Sequence, residues 1–275
     1  LAAWKFLGED GEPLGHRELP SLSIACSGQG VTGKKDEWLA LASGDDKLRN
    51  GMENLYELFK QAPHLGSLID PAKLSGNMFV ASFSELEPLL ERALENERLS
   101  SDFDAKAVGV AAQGITRAAE ILSGCHTLVA TNVPYLGRYK QAEAIKGLCD
   151  QSHRHARANL ATALLDRSFG LCKRGCTVAF VTPQAWLIQG AYESLRDSVL
   201  RKNRLIFLAR LGPRSFETIS GEVVNVALVI LANDFAENNR FSVIDATELA
   251  SVAEKSSCLY SGTVEEMIQK EQLLN

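Results

Sequence analysis

Four apolar runs set the limits on what this chain can fold into. HTLVAT (His126–Thr131), CTVAFVT (Cys176–Thr182), LIFLARL (Leu205–Leu211) and VVNVALVIL (Val223–Leu231) are continuous rather than alternating. A short continuous apolar run reads as a strand buried on both faces. Segments with helical spacing lie between and before them. Arg157–Lys173 turns Leu160, Leu164, Leu165 and Leu171 to one side and stops at Gly175, and Trp186–Leu200 opens after Pro183. This order predicts an α/β fold, with a mostly parallel sheet covered by helices on both faces. LSIAC (Leu22–Cys26) reads as a further short buried strand, RFSVID (Arg240–Asp245) as another, and Val264–Leu274 as a closing helix.

The stretch between Cys26 and His126 has a different character. Lys47–Ala62 places Met52, Leu55, Leu58 and Phe59 at helical intervals. Ser84–Leu99 has a capping Ser84, with Glu85 and Glu87 in its first turn, and Asp104–Leu122 continues the pattern. These helices predict a helical insertion over 34–122 inside a single domain spanning 1–275.

With 275 residues and 45% hydrophobic content, the chain can build one large core or two small ones. No run approaches the roughly 20 apolar residues of a membrane span, so no membrane partner is expected. The six cysteines show no framework spacing, which reads as a reduced, cytoplasmic setting. Cys149, His153 and His155, or Cys172 and Cys176, can be drawn as metal ligands. Neither set has paired C-x-x-C spacing, so buried thiols and surface histidines are the expectation, with no metal. The opening LAAWKFLGED lacks a Met and starts on apolar residues, so Leu1 is read as interior to a longer protein.

The net charge of −5 argues against a general polyanion-coating protein, but the distribution is uneven. From Arg138 to Arg174 there are eight Lys/Arg against three acids, and from Arg196 to Arg214 six against one. These runs read either as solvated helix faces or as phosphate contacts around a site, with Arg138, Lys140, Arg154 and Arg157 the nearest candidates for such contact.

Two glycine motifs fail on mechanism. Gly28-x-Gly30-x-x-Gly33 spells a dinucleotide fingerprint, and Gly28 to Lys34 nearly spells a phosphate loop. The first needs a long helix opened by its last glycines, yet KKDEWLALASG allows barely two turns before Gly44. The second needs Ser or Thr after Lys34 to hold magnesium, and Lys35 stands there. A Gly-rich surface loop is the better account, with an ATP-binding module as the rival.

The first apolar run ends in Asn132-Val133-Pro134-Tyr135. Asn132 supplies a carboxamide acceptor and the Val133 carbonyl a second. Pro134 stiffens the turn, and Tyr135 offers a face for stacking, worth about 1–3 kcal/mol per base. Two acceptors and a ring describe a holder for an amino group on a planar heterocycle, at the strand end where α/β sheets bind ligands.

This stretch resembles the N-P-P-Y motif of the N6-adenine DNA methyltransferases found in restriction-modification and phage-defence (BREX-type) systems. ATNVPYLGRYKQ, FVTPQAWLIQGAYESLRDSVL and FETISGEVVNVALVIL match in order. The resemblance implies a Rossmann-like methyltransferase fold and the C-terminal part of a catalytic domain. It implies S-adenosyl-L-methionine as methyl donor and double-stranded DNA as partner, with restriction or defence subunits as further partners. Asn132 and the Val133 carbonyl would accept from adenine N6, and Tyr135 would stack on a base flipped from the duplex. Val133 replaces the family's usual proline. The donor-binding strands are expected before Leu1, leaving Cys26, Ser27 and Gly28 as the nearest candidate donor contacts, with no acid among them. That predicts an incomplete donor site and no activity for these residues alone. Methylation of a protein glutamine or an RNA base stays open, as does an inactive DNA-binding or scaffolding role.

Overall fold

The computed structural model describes residues 4–7, 13–17, 22–42, 46–73, 103–216 and 224–273. Its main element is a six-stranded sheet built from β3 (His126–Asn132), β4 (Cys172–Pro183), β5 (Arg204–Gly212), β6 (Val226–Ala232), β7 (Arg240–Asp245) and β8 (Glu265–Ile268), in the order β3-β4-β6-β5-β7-β8. β3 runs parallel to β4, and β5 parallel to β7, while β6 lies antiparallel between β4 and β5. Four of the six strands therefore point the same way, with β6 and β8 reversed. A separate antiparallel pair, β1 (Trp4–Leu7) and β2 (Pro13–Arg17), lies at the start of the chain.

The sheet has a core on each face, as the apolar runs required. Along β6, Ala227, Val229 and Leu231 enter one core while Val226 enters the other. Two-residue alternation sends neighbours to opposite faces, so apolar residues at every position need cover on both sides. Helices α6 (Leu160–Leu171) and α8 (Glu193–Lys202) cover the larger core through Leu165, Leu195 and Val199. Helix α9 (Val252–Ser261) contributes Cys258 and Leu259 to the other. Burying a side chain the size of Leu165 fully is worth about 1.5–3 kcal/mol.

The helical stretch packs around its own core. α1 (Lys35–Ala40), α2 (Asp46–Phe59) and α4 (Phe103–Ser123) bury Trp38, Met52, Leu55, Phe59 and Ile115, with the short α3 (Ala62–Leu65) beside them. Arg167 of α6 ties this stretch to the sheet. It is 3% exposed and donates to the carbonyls of Ile69 (3.1 Å) and Leu122 (2.8 Å), with Asp70 3.3 Å away.

The structure corrects several expectations. Leu22–Cys26 is not a buried strand: it is irregular and exposed, with Ile24 75% accessible. Among the described residues β3 is an edge strand, with β4 its one neighbour, which leaves Leu128 57% exposed. Val264–Leu274 does not form a helix. Glu265–Ile268 pairs antiparallel with β7, and a 3-10 turn, Gln269–Leu273, follows. The helix expected to stop at Gly175 ends at Leu171. Gly175, at φ +78°, lies instead in the irregular start of β4, where the register with β3 slips. The expected helix Ser84–Leu99 lies outside the described residues. Among those described, no helix is long and apolar enough to cross a membrane.

Candidate functional site

The parallel register of β3 on β4 carries the chain out of the sheet at Asn132, opposite Val181. Asn132 and Pro134 are exposed, Val133 is buried, and Tyr135 is half-buried. Val133 acts as the anchor, since its side chain joins the larger core and fixes the turn on either side of it. The Tyr135 ring packs against both sheet cores. Its hydroxyl is enclosed with no partner among the described residues, and burial pushes it up to about 12.

The next residues are strapped to the start of α6. Arg138 N donates to the Ala158 carbonyl (3.0 Å), Leu160 N to the Leu136 carbonyl (2.9 Å), and Gly137 bridges Asn159. The Asn159 side-chain oxygen caps α6 by accepting from Ala161 N (2.9 Å), and it also accepts from Leu136 N (3.3 Å). The Gln141 amide donates to the Leu136 carbonyl at 3.1 Å. An asparagine in extended conformation before an apolar helical run is an N-cap signal. Here that cap also holds the loop that follows the motif.

Asn132, Val133 and Pro134 line a cleft of about 480 Å³. Ser27, Gly28, the turn around Ser67, and Arg167 and Ser168 of α6 line the same cleft. Ser27 and Ser67 hydroxyls lie 3.0 Å apart and join the two loops. The structure thus brings Ser27 and Gly28 to the same cleft as Asn132. Cys26 is exposed and Tyr135 turns to the core, and neither lines this cleft. The Gly28–Gly33 stretch is a loop, followed by the six-residue α1. Arg167 lowers the electrostatic cost of its own burial through two carbonyls and Asp70, and desolvation still pulls it below its ordinary value.

The basic candidates divide. Arg138 and Arg157 share one carboxylate, donating to Asp150 at 2.6 and 2.8 Å. Arg157 and Arg138 together hold that carboxyl below its usual range. Lys140 stands 5.5 Å from the centroid of the exposed Tyr139 ring, and Arg154 is exposed with no ion pair among the described residues. His153 and His155 do not form a ligand set with Cys149. Both donate to Asp166, at 2.7 and 3.0 Å, and hold it below its ordinary value against the upward pull of burial.

No family model matches the chain. It is 28% identical over 214 residues to the adenine-specific methyltransferase BrxX of Escherichia coli O9:H4 (strain HS), an alignment covering 76% of this chain and 17% of that protein. It is 26% identical over 119 residues to the adenine-specific methyltransferase PglX of Lacticaseibacillus casei (strain Zhang), covering 43% of this chain and 10% of the other. The chain therefore spans less than a fifth of the length of either relative. Among solved structures, it is similar to a type I restriction-modification system methyltransferase subunit from Streptococcus thermophilus, with a TM-score of 0.42 at 14% identity over 86% of this chain and 72% of that one. It is also similar to a nuclease-deletion mutant of the Type ISP restriction-modification enzyme LlaGI in complex with a DNA substrate mimic, with a TM-score of 0.46 at 14% identity over 68% and 22%.

Proposed function

We propose, from the resemblance of this chain to segments of two adenine-specific methyltransferases, that it supplies the amine-holding side of an N6-adenine DNA methyltransferase. One observation carries the reading. Asn132 and the Val133–Pro134 turn leave the end of β3 and open onto a cleft large enough for a planar heterocycle. In this reading the Asn132 side-chain oxygen and the Val133 carbonyl accept the two N–H groups of adenine N6. Holding both hydrogens in the plane of the base orients the amine, while the Tyr135 ring, packed against both sheet cores, braces the turn that carries the two acceptors. Extrusion costs a few kcal/mol, which these contacts and the phosphate contacts of Lys140, Arg154 and Arg157 offset.

The donor of this reading is S-adenosyl-L-methionine, whose ribose hydroxyls call for a carboxylate. Ser27, Ser67 and Thr131 bring hydroxyls to the cleft, but no Asp or Glu lines it among the described residues. The cleft therefore fits the acceptor amine and does not by itself fit the donor. A second reading keeps the fold and the DNA contact without methyl transfer.

The experiment that separates the two incubates the native gene product with S-adenosyl-L-methionine and adenine-containing duplex DNA, then identifies the nucleosides by mass spectrometry. N6-methyladenine is the expected product. Methylation of RNA or protein alone would move the substrate, and DNA binding with no methylation would support the second reading.

A further inference from the structure

The turn that follows the motif presents an aromatic ring to solvent in a way no packing need explains. Tyr139 is 80% exposed and sits on the 3-10 turn Arg138–Lys140. Its ring lies along the backbone of Gly137, so close that a Cβ on that residue would meet the ring edge at 3.2 Å. Gly137 therefore seats the ring beside the motif loop, and that loop is itself fixed on Ala158–Leu160. Lys140 stands at cation–π distance from the ring.

The neighbouring charges are held rather than dispersed. Asp150 grips Arg138 and Arg157 together, so two guanidinium groups share a single negative charge. A second nitrogen of Arg138, Nη1, is enclosed with no acceptor among the described residues. Arg154, on the loop between α5 (Glu143–Ser152) and α6, is exposed. A seated, exposed ring with the exposed cations Lys140 and Arg154 near it in the chain is what a nucleic-acid strand with an unstacked base requires: a face for the base and donors for the phosphates.

We infer that Tyr139 is a stacking platform for a DNA base next to the extruded one, with Lys140 and Arg154 on the adjoining phosphates. The inference rests on the proposed amine-holding role of the Asn132–Tyr135 turn. Extruding one base leaves its neighbours without a stacking partner on one side, and Tyr139 stands a few residues from the turn that would receive the extruded base.

The test measures binding of the full 275-residue chain to fluorescein-labelled oligonucleotides by anisotropy. The DNAs are an intact duplex, the same duplex with one abasic position, and a single strand. Wild type should bind the abasic duplex and the single strand more tightly than the intact duplex. Tyr139→Ala should remove most of that difference, a loss of about tenfold or more from one base stack, while Tyr139→Trp keeps it. Lys140→Ala and Arg154→Ala should weaken all three DNAs alike and flatten the salt dependence by about one phosphate each. Because Tyr139 is exposed, its variants should melt as the wild type does. Should Tyr139→Ala melt lower, the Trp variant and the intact-duplex control still report on stacking.

No binding by the wild type at low salt would overturn the inference. So would equal binding by wild type and Tyr139→Ala, or an equal loss on all three DNAs. A preference for RNA of the same sequence would overturn the DNA assignment. Asn132→Ala serves as the separating control. If it binds as wild type and Tyr139 still matters, the platform stands even where no methylation is found. If methylation is found and Tyr139→Ala binds normally, the platform falls and the methyltransferase reading survives.

Discussion

Replacing Asn159 by alanine tests whether the loop behind the motif is built as described. The Asn159 side-chain oxygen is the helix cap of α6, accepting from Ala161 N, and also the acceptor for Leu136 N. Losing an N-cap costs about 1 kcal/mol, within a range of roughly 0.5–2. Leaving Leu136 N without its acceptor adds about 0.5–1 kcal/mol, at the lower end because that bond is long. Asn159→Ala should therefore destabilise the chain by about 2 kcal/mol. Asn159→Asp retains the oxygen and places a negative charge at a helix N-terminus, favourable by about 0.3–1 kcal/mol. It should therefore stay within about 0.5 kcal/mol of wild type. Urea denaturation followed by circular dichroism measures both, with the m-value expected to stay constant. If alanine costs less than about 0.5 kcal/mol, or if aspartate is as damaging as alanine, the double role of this oxygen is wrong.

Three further outcomes follow from the same geometry. Arg167→Met should cost about 3–5 kcal/mol, because it strips the donor from the carbonyls of Ile69 and Leu122 and removes the charge facing Asp70; a melting temperature near that of wild type would contradict this. Asp166 lies lower folded than unfolded, so its contribution is complete above the unfolded value of about 3.9 and is lost as pH falls through the folded one. The stability advantage of wild type over Asp166→Asn should accordingly fade in acid, and an advantage that grows on acidification would refute the assignment. Tyr135→Phe removes a hydroxyl enclosed without a partner, so it should leave stability unchanged or raise it by up to about 1 kcal/mol, read by the same denaturation.

The parts of the fold legible in the sequence were those where one physical signal dominated. Continuous apolar runs located β3, β4, β5 and β6, because a strand covered on both faces tolerates no polar alternation. The same logic misread LSIAC, which is apolar enough for a strand but has no strand partner among the described residues. The end of the chain failed for a different reason. EEMI pairs with β7 over four residues, too short for a period to show. Gln269 then closes that edge through its side-chain amide, which accepts from Leu205 N and donates to the carbonyls of Leu200 and Asn203. A buried amide that satisfies scattered backbone groups leaves no periodic trace. Helix α9 was missed although its capping box, Ser251 with Glu254, was a signal that could have found it. At the site, the strand end at Asn132 was legible. The cleft wall from Ser27, Gly28 and Ser67 needed the three-dimensional structure, because Ser27 and Ser67 lie 40 positions apart in short turn segments that carry no periodic signal.

The central claim is that the Asn132 side chain holds the amine that receives a methyl group. The direct measurement is the rate of methyl incorporation into adenine-containing duplex DNA by the native gene product carrying Asn132→Ala, beside wild type and with melting temperatures in parallel. Asn132 is exposed at a strand end and makes no side-chain hydrogen bond among the described residues, so the variant should melt as wild type does. Incorporation should fall by tenfold or more, about 1.4 kcal/mol at the least, since an acceptor poised for the reacting amine is lost. Incorporation at the wild-type rate by a variant of unchanged stability would contradict the claim.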